Sequence, residues 1–300
     1  MPANNQGPIV VGIDGSDNAL HAARWAAAEA AQRHRELRLV HAMDDVSLSY
    51  PRPLPLSDDM SGILRMRGQR LLRTARDAVR DVDPTLTTHL ELSHRGAAPT
   101  LIEESETAGL LVLGTWGLRP TGRMLAGSIS IALAAHAKCP VALIRGHVAE
   151  DEPPTEGPVV LGVDAGPSSE EAIAFAFEEA SWRGVPLVAV HAWDDRFLAA
   201  VFEETRHELH WPAVEDHERE LLAQRLAGWQ EKYPDVRVDR VVRRGRAAEQ
   251  LLDLADHAQL IVVGSRGRGG FSGLLLGSTS QAIMSYALCP VLVARHHGGE

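Results

Sequence analysis

The stretch Val262–Ser280 reads VVGSRGRGGFSGLLLGSTS. An apolar run leads into a loop of glycines, arginines and hydroxyls, and the loop leads into a helical pattern. Its glycines follow a spacing: Gly264, two residues, Gly267, nine residues, then Gly277-Ser278. The same spacing stands earlier as Gly114, two residues, Gly117, nine residues, then Gly127-Ser128. A strand that ends in glycine and re-enters a helix through Gly-Ser is half of a strand–helix–strand unit.

The recurrence extends over the whole chain. VVGIDGS at Val10–Ser16 returns as VLGVDAG at Val160–Gly166, and LVHAMDD at Leu39–Asp45 as AVHAWDD at Ala189–Asp195. LGTWG at Leu113–Gly117 returns as VGSRG at Val263–Gly267, LAGS at Leu125–Ser128 as LLGS at Leu275–Ser278, and KCPVALIR at Lys138–Arg145 as LCPVLVAR at Leu288–Arg295. Each pair keeps one offset of 150 residues, so a whole domain is duplicated. The seam RGHVAEDEPPTEGP, Arg145–Pro158, is polar, acidic and proline-bearing, which is linker composition. Domains are therefore expected at 1–146 and 158–300, joined by a linker at 147–157.

Each half alternates strands and helices. In the first, strands are expected at Ile9–Ile13, Leu37–Ala42, Thr87–Leu92, Leu110–Leu113 and Val141–Ile144. Helices are expected at Asn18–Arg33, Ser61–Val82, Ala97–Ala108 and Gly127–Ala137. Short apolar strands spaced by helices predict an α/β chain of two tandem doubly wound, Rossmann-like sandwiches on parallel sheets. With strand order 3-2-1-4-5 in each, strands one and four flank the switch-point crevice where ligands collect. The two most unusual loops follow those strands. One holds Gly12 and Asp14, or Gly162 and Asp164; the other begins at Gly114 or Gly264.

Glycines let the backbone reach positive φ and let a ligand approach without a Cβ in the way. The terminal Gly-Ser opens a helix, whose free N–H groups and positive dipole end form an anion site. Ser278, Thr279 and Ser280, or Ser128 and Ser130, can donate hydroxyls or cap that helix. Thr115 and Ser265 lie in the loops beside the glycines, and Arg266 and Arg268, or Arg119 and Arg123, can neutralise outer phosphates. The loop is not GxxxxGK[ST], and GxGxxG fails where its third glycine would fall, at Ser272. Asp14 and Asp164 admit two readings, ligand acid or helix N-cap. Asp45 and Asp195 lie past strand two, where an acid reaches ribose in other nucleotide folds.

The spacing G-x2-G-x9-G-[ST], with an aspartate after strand one, resembles the ATP-binding branch of the universal stress protein family across nearly the whole chain. The resemblance implies ATP in each half, carried with Mg2+, adenine near strands one and two and phosphates on Gly114, Gly117, Gly127 and Ser128 or Gly264, Gly267, Gly277 and Ser278. It also implies that Val141–Ile144 and Val291–Ala294 pair domains within the chain, with homodimers and a regulatory protein partner beyond. Family members act in stress tolerance, dormancy and growth control, without a defined reaction. The first loop departs in texture. Trp116 stands where the second half has Arg266, and Pro120 where it has Gly270, so Gly267 is expected to matter more for binding than Gly117.

Other features narrow the class. The formal net charge of −10 disfavours nucleic acid, because the arginines read as scattered among acids with no basic patch. The amino-terminal residues lack a signal-peptide pattern and no long apolar run spans a membrane, so a soluble cytoplasmic protein is expected. Cys139 and Cys289 are far apart, without CxxC, and read as buried apolar positions; no metal site is expected from side chains alone. Phe202–Glu220 is rich in His and Glu but does not meet HExxH, and reads as a solvated segment. His41 and His191 read as hydrogen-bonded structural groups, and Trp193, Trp211 and Trp229 as packing or part of a subunit interface. No nucleophile–base pair accompanies the glycine loops, so a binding protein is expected in place of an enzyme. A weak ATPase or adenylate-handling enzyme is one alternative, and an oligomeric module with one degenerate site another. A cyclic nucleotide would use the same helix end.

Overall fold

The central strand of the first half, β1 (Ile9–Gly12), begins with Ile9, Val10 and Val11, all fully buried. A strand covered on both faces needs no polar alternation, and here it has none. The computed structural model describes residues 7–43, 58–115, 127–146, 152–164, 169–193, 211–267 and 275–295. The chain divides into two units, Met1–Pro153 and Pro154–Glu300.

In the first unit β1 is followed by α1 (Asp17–Gln32), β2 (Leu37–Ala42), α2 (Asp58–Val82), β3 (Thr88–Ser93), α3 (Ala97–Glu104), β4 (Leu110–Gly114), α4 (Ser128–His136) and β5 (Val141–Ile144). β1 pairs in parallel with β2 on one side and with β4 on the other, β2 with β3, and β4 with β5. The order is thus 3-2-1-4-5, and the chain reverses direction across the sheet between β1 and β4.

The second unit repeats the plan: β6 (Val159–Gly162), α5 (Glu170–Arg183), β7 (Leu187–Trp193), α6 (Trp211–Lys232), β8 (Val238–Arg244), α7 (Ala247–Ala255), β9 (Leu260–Gly264), α8 (Ser278–Tyr286) and β10 (Val291–Ala294). Here β6 lies between β7 and β9, with β8 and β10 outermost, all parallel.

Helix α1 lies close to its sheet because it buries alanines. Ala19, Ala22, Ala23, Ala26, Ala27 and Ala30 are almost wholly enclosed. Their small side chains set the spacing, and their helix propensity is the highest available. Ser16 caps α1, its Oγ accepting from the Ala19 N–H at 3.2 Å. At the other end His34 takes the left-handed conformation, φ 51°, where the second unit places Gly184 at φ 63°.

Helix α3 ends at Glu104, short of the expected Ala108. Ser105 Oγ donates to the Ile102 carbonyl, and the chain turns through 105–107 to enter β4. Such local side-chain bonds compete with helix continuation.

The expectation of scattered arginines with no basic patch is corrected at the arginine-rich stretch Ser61–Val82. Six of them fall between Ser61 and Val82 in α2, beside two aspartates. The helix hides Gly68, Leu72, Ala75 and Val79 against the sheet and exposes Arg65, Arg67, Arg70, Arg73 and Arg80, with Arg76 half-buried. The linear sequence dilutes this face, because buried apolar residues alternate with the charges at helical spacing.

Candidate functional site

In each unit a cleft opens at the carboxyl ends of strands one and four. In the second unit it measures about 430 Å³, between Gly162, Val163 and Asp164 after β6 and Gly264, Arg266 and Gly267 after β9. In the first it measures about 370 Å³, between Gly12, Ile13 and Asp14 and Gly114 and Thr115. Both volumes lie within the range of small-molecule pockets.

One wall is the start of the fourth helix. Gly277 caps α8 and Gly127 caps α4, neither with a side-chain bond. The first backbone bonds of these helices run from Gln281 N to the Gly277 carbonyl and from Ile131 N to the Gly127 carbonyl. The amides of Ser278, Thr279 and Ser280, and of Ser128, Ile129 and Ser130, therefore have no acceptor within the helix. They line the clefts with the positive end of the helix dipole behind them.

This corrects the expectation that the serine hydroxyls cap these helices, since glycine occupies the cap. Ser280 Oγ instead donates to the Gly264 carbonyl at 2.5 Å, and Gly277 N donates to the Ser265 carbonyl at 2.8 Å. These two bonds fasten the helix start over the end of β9. Ser280 and Ser130 are buried, which suits fastening more than ligand contact. Ser265 is also placed differently from expectation. It is buried, its N–H bonds to the Ala294 carbonyl, and it does not line the cleft. Thr115 makes the equivalent bond to Ile144 O. Residues that alternate along an extended segment face opposite ways, so Gly264 and Arg266 face the cleft while Ser265 faces the core.

The glycines divide by role. A Cβ on Gly114 would come within 2.2 Å of the Asn18 carbonyl oxygen, so this glycine lets α1 cross the end of β4. A Cβ on Gly12 would meet Leu113 Cδ2 at 2.6 Å and Leu101 Cδ1 at 3.2 Å. A Cβ on Gly267 would instead sit 2.8 Å from Asp164 Oδ2, at the cleft. Gly267 thus brings its backbone against the carboxylate that ends strand one.

Neither aspartate is the helix cap. Asp14 Oδ1 accepts from Ser16 N at 2.9 Å and Ser16 Oγ at 2.6 Å, so it orients the capping serine. Asp164 Oδ1 accepts from Ser169 Oγ at 2.6 Å, and Asp164 N donates to that same hydroxyl at 3.0 Å. Each carboxylate lines its cleft while anchored by a serine.

The third helix was missed as a wall. Ala97 and Leu101 of α3, and Ala247 and Leu251 of α7, line the clefts, with Val40 and Ala42 or Val190 and Ala192 from strand two. Their signal was the repeat itself, because all four pairs keep the offset. They give each cleft an apolar side opposite the amide side.

The two histidines differ. His191 Nδ1 lies 2.9 Å from the Val163 carbonyl, and its Nε2 lies 2.8 Å from Glu218 Oε2 on α6. His41 Nδ1 makes the same bond to Ile13 O at 2.6 Å, but Gly68 stands where Glu218 would be, and His41 lines the first cleft. At the helix start, half-exposed Ile129 replaces the hydroxyl of Thr279. In the second cleft Thr279 stands at the helix start and Arg266 is exposed beside it.

Gly117, Arg119, Arg123, Arg268, Asp45 and Asp195 lie outside the described residues. Trp193 and Trp211 stack at 6.0 Å with Arg244 over the Trp211 ring, and Trp229 stacks on Phe177 and Tyr233, which is packing as expected. Cys139 and Cys289 are fully buried. Among the described residues no three metal-binding side chains cluster, and no helix is long and apolar enough to cross a membrane.

The model of the universal stress protein family matches residues 7–145 and again 157–295. Universal stress protein Rv2623 of Mycobacterium tuberculosis (strain ATCC 25618 / H37Rv) is 42% identical over 295 residues, covering 96% of each chain. A universal stress protein of Mycolicibacterium smegmatis is 40% identical over 292 residues, again 96% of each. Among solved structures, a universal stress protein from Archaeoglobus fulgidus superimposes with a TM-score of 0.67 at 16% identity, covering 98% of this chain and 99% of that one. A protein of unknown function from Pseudomonas aeruginosa PAO1 does so at 0.61 and 20% identity, covering 98% and 95%. At those identities the likeness is one of fold.

Proposed function

The chain belongs to the universal stress protein family, with two family domains in one polypeptide, and we propose that it is a cytoplasmic ATP-binding sensor that holds nucleotide without turning it over. The observation that carries this reading is the helix start in each cleft. Three successive amides have no acceptor within the helix, and their residues line a cavity that is apolar on its other side. A nucleotide has the same two ends, an anionic chain and a flat, weakly polar base.

In the second cleft the backbone amides of Ser278–Ser280, with the Arg266 side chain, meet the phosphates, and Val190, Ala192 and Leu251 cover the base. Gly267 lets the phosphates approach the backbone. Mg2+ fits this donor set only in company with phosphate. Asp164 is one carboxylate with one oxygen already bonded to Ser169, and Mg2+ commonly combines one or two carboxylates with phosphate oxygens and water. Asp164 would hold it, and the metal would supply charge neutralisation between phosphates.

The signal that binding sends is stability. A ligand that binds only the folded state at a hundredfold over its Kd adds about 2.7 kcal/mol, a large part of a domain's margin. Occupancy then changes the population competent for a protein partner.

The test is mass spectrometry of the protein as purified, followed by calorimetric titration of the nucleotide-free chain with Mg-ATP. Binding at two sites, the second domain the tighter, is expected. No heat and no co-purified nucleotide would remove the reading. Incubation with labelled ATP separates it from a weak ATPase, since appreciable multiple turnover would favour the enzyme.

A further inference from the structure

Helix α2 carries a charge that its place in the fold does not require. Its inner face is Gly68, Leu72, Ala75 and Val79, spaced as one helical stripe. Its outer face exposes Arg65, Arg67, Arg70, Arg73 and Arg80, and none of these five forms a salt bridge or hydrogen bond with another described residue. From Ser61 to Arg76 the helix contains no acidic residue.

The duplication supplies the control. Helix α6 packs on its own sheet at the equivalent position, 150 residues on. Between Trp211 and Lys232 it has five acidic and three basic residues. Its Arg219 is engaged by Glu215 and Asp216. One fold position accepts either sign, so packing does not explain the arginines of α2.

Two large apolar side chains stand within this basic face. Ile63 is 60% exposed and Met66 63%. Ile63, Met66, Arg70 and Arg73 follow one another at three, four and three residues, which places them along a single stripe about 15 Å long.

We infer that this face of α2 docks a short acidic protein segment with interspersed apolar side chains. Arginine presents a planar fork that takes a carboxylate through two hydrogen bonds, and the apolar residues of the segment would cover Ile63 and Met66. An extended polyanion, whether a nucleic-acid duplex or a lipid surface, would also meet the rest of a chain whose formal net charge is −10. A segment no longer than the stripe meets mainly the helix, because charges beyond about 8 Å are screened at physiological ionic strength.

The experiment is fluorescence anisotropy of the full chain with a fluorescein-labelled synthetic peptide of Glu-Glu-Leu repeats, with phosphatidylglycerol–phosphatidylcholine vesicles run in parallel. Saturable peptide binding that weakens with salt is expected. Arg67→Glu, Arg70→Glu and Arg73→Glu together should weaken it about tenfold or more. The milder pair Arg70→Gln and Arg73→Gln should weaken it in the same direction should the triple variant misfold. Ile63→Ser with Met66→Ser, which leaves every charge, should weaken it about threefold, and Arg219→Glu on α6 should leave it unchanged. Absence of peptide binding, binding indifferent to the arginines, or binding indifferent to Ile63 and Met66 would overturn the inference. So would vesicle binding stronger than peptide binding.

Discussion

Gly114 and Gly267 are the first glycine of the motif in one half and the second glycine of it in the other, and their surroundings differ in kind. Around Gly114 the nearest atoms are backbone: Asn18 O at 2.2 Å and Ala19 N at 2.6 Å from a built Cβ. Backbone of a helix start cannot retreat without moving the helix. Gly114→Ala is therefore expected to destabilise the first domain by about 3 kcal/mol, read from a urea unfolding curve. Around Gly267 the near atom is a side-chain oxygen, Asp164 Oδ2, at 2.8 Å, which can shift without moving a helix. Gly267→Val should change stability by less than about 0.5 kcal/mol while weakening nucleotide binding about tenfold, because the added side chain fills the approach to the carboxylate. Calorimetric titration of both variants separates the two roles. The sequence showed that glycine was needed at both positions; it did not show what each glycine was avoiding, since Asn18 is remote along the chain from Gly114.

At the scale of elements, duplication lets one half serve as reference for the other. Helices α1 and α5 both end in a left-handed residue, His34 at φ 51° and Gly184 at φ 63°. A residue with a Cβ is strained there and glycine is not. His34→Gly is expected to stabilise the first domain by about 1 kcal/mol, less a few tenths for the freedom glycine adds to the unfolded chain, as measured by thermal unfolding. The strand β5 lies where its hydrophobic run placed it, because a doubly covered strand is an uninterrupted apolar word. Helix ends were less legible. Helix α3 ends at Glu104, with the Ser105 hydroxyl bonded to the Ile102 carbonyl, and Gly127 and Gly277, not the serines beside them, cap α4 and α8. Such endings depend on where the next strand must begin, which local propensity does not encode.

At the scale of the molecule, two clefts of one ancestry have diverged. Ile129 stands where the second unit has Thr279 and Gly68 where it has Glu218, and among the described residues His191 is bonded through both ring nitrogens and His41 through one. Addition of Mg-ATP at a hundredfold over its Kd should add about 2.7 kcal/mol to the domain that binds it. Arg266→Ala should remove part of that gain, with the apo midpoint unchanged, since Arg266 is exposed. Differential scanning calorimetry with inorganic phosphate as the control ligand would read this. An equal shift in Arg266→Ala and the parent chain would show that Arg266 does not touch the phosphates.

The sequence by itself determined the duplication, the order of strands and helices and the crevice to which the glycine loops belong. Those features rest on periodicity and offset, which are properties of a line. Only the tertiary structure decided which side of each loop residue faces the cleft, that Leu101 and Leu251 from the third helix close it, and that the arginines of α2 share one outward face. Those depend on which residues, distant along the chain, the sheet and its helices bring within a few ångströms of one another.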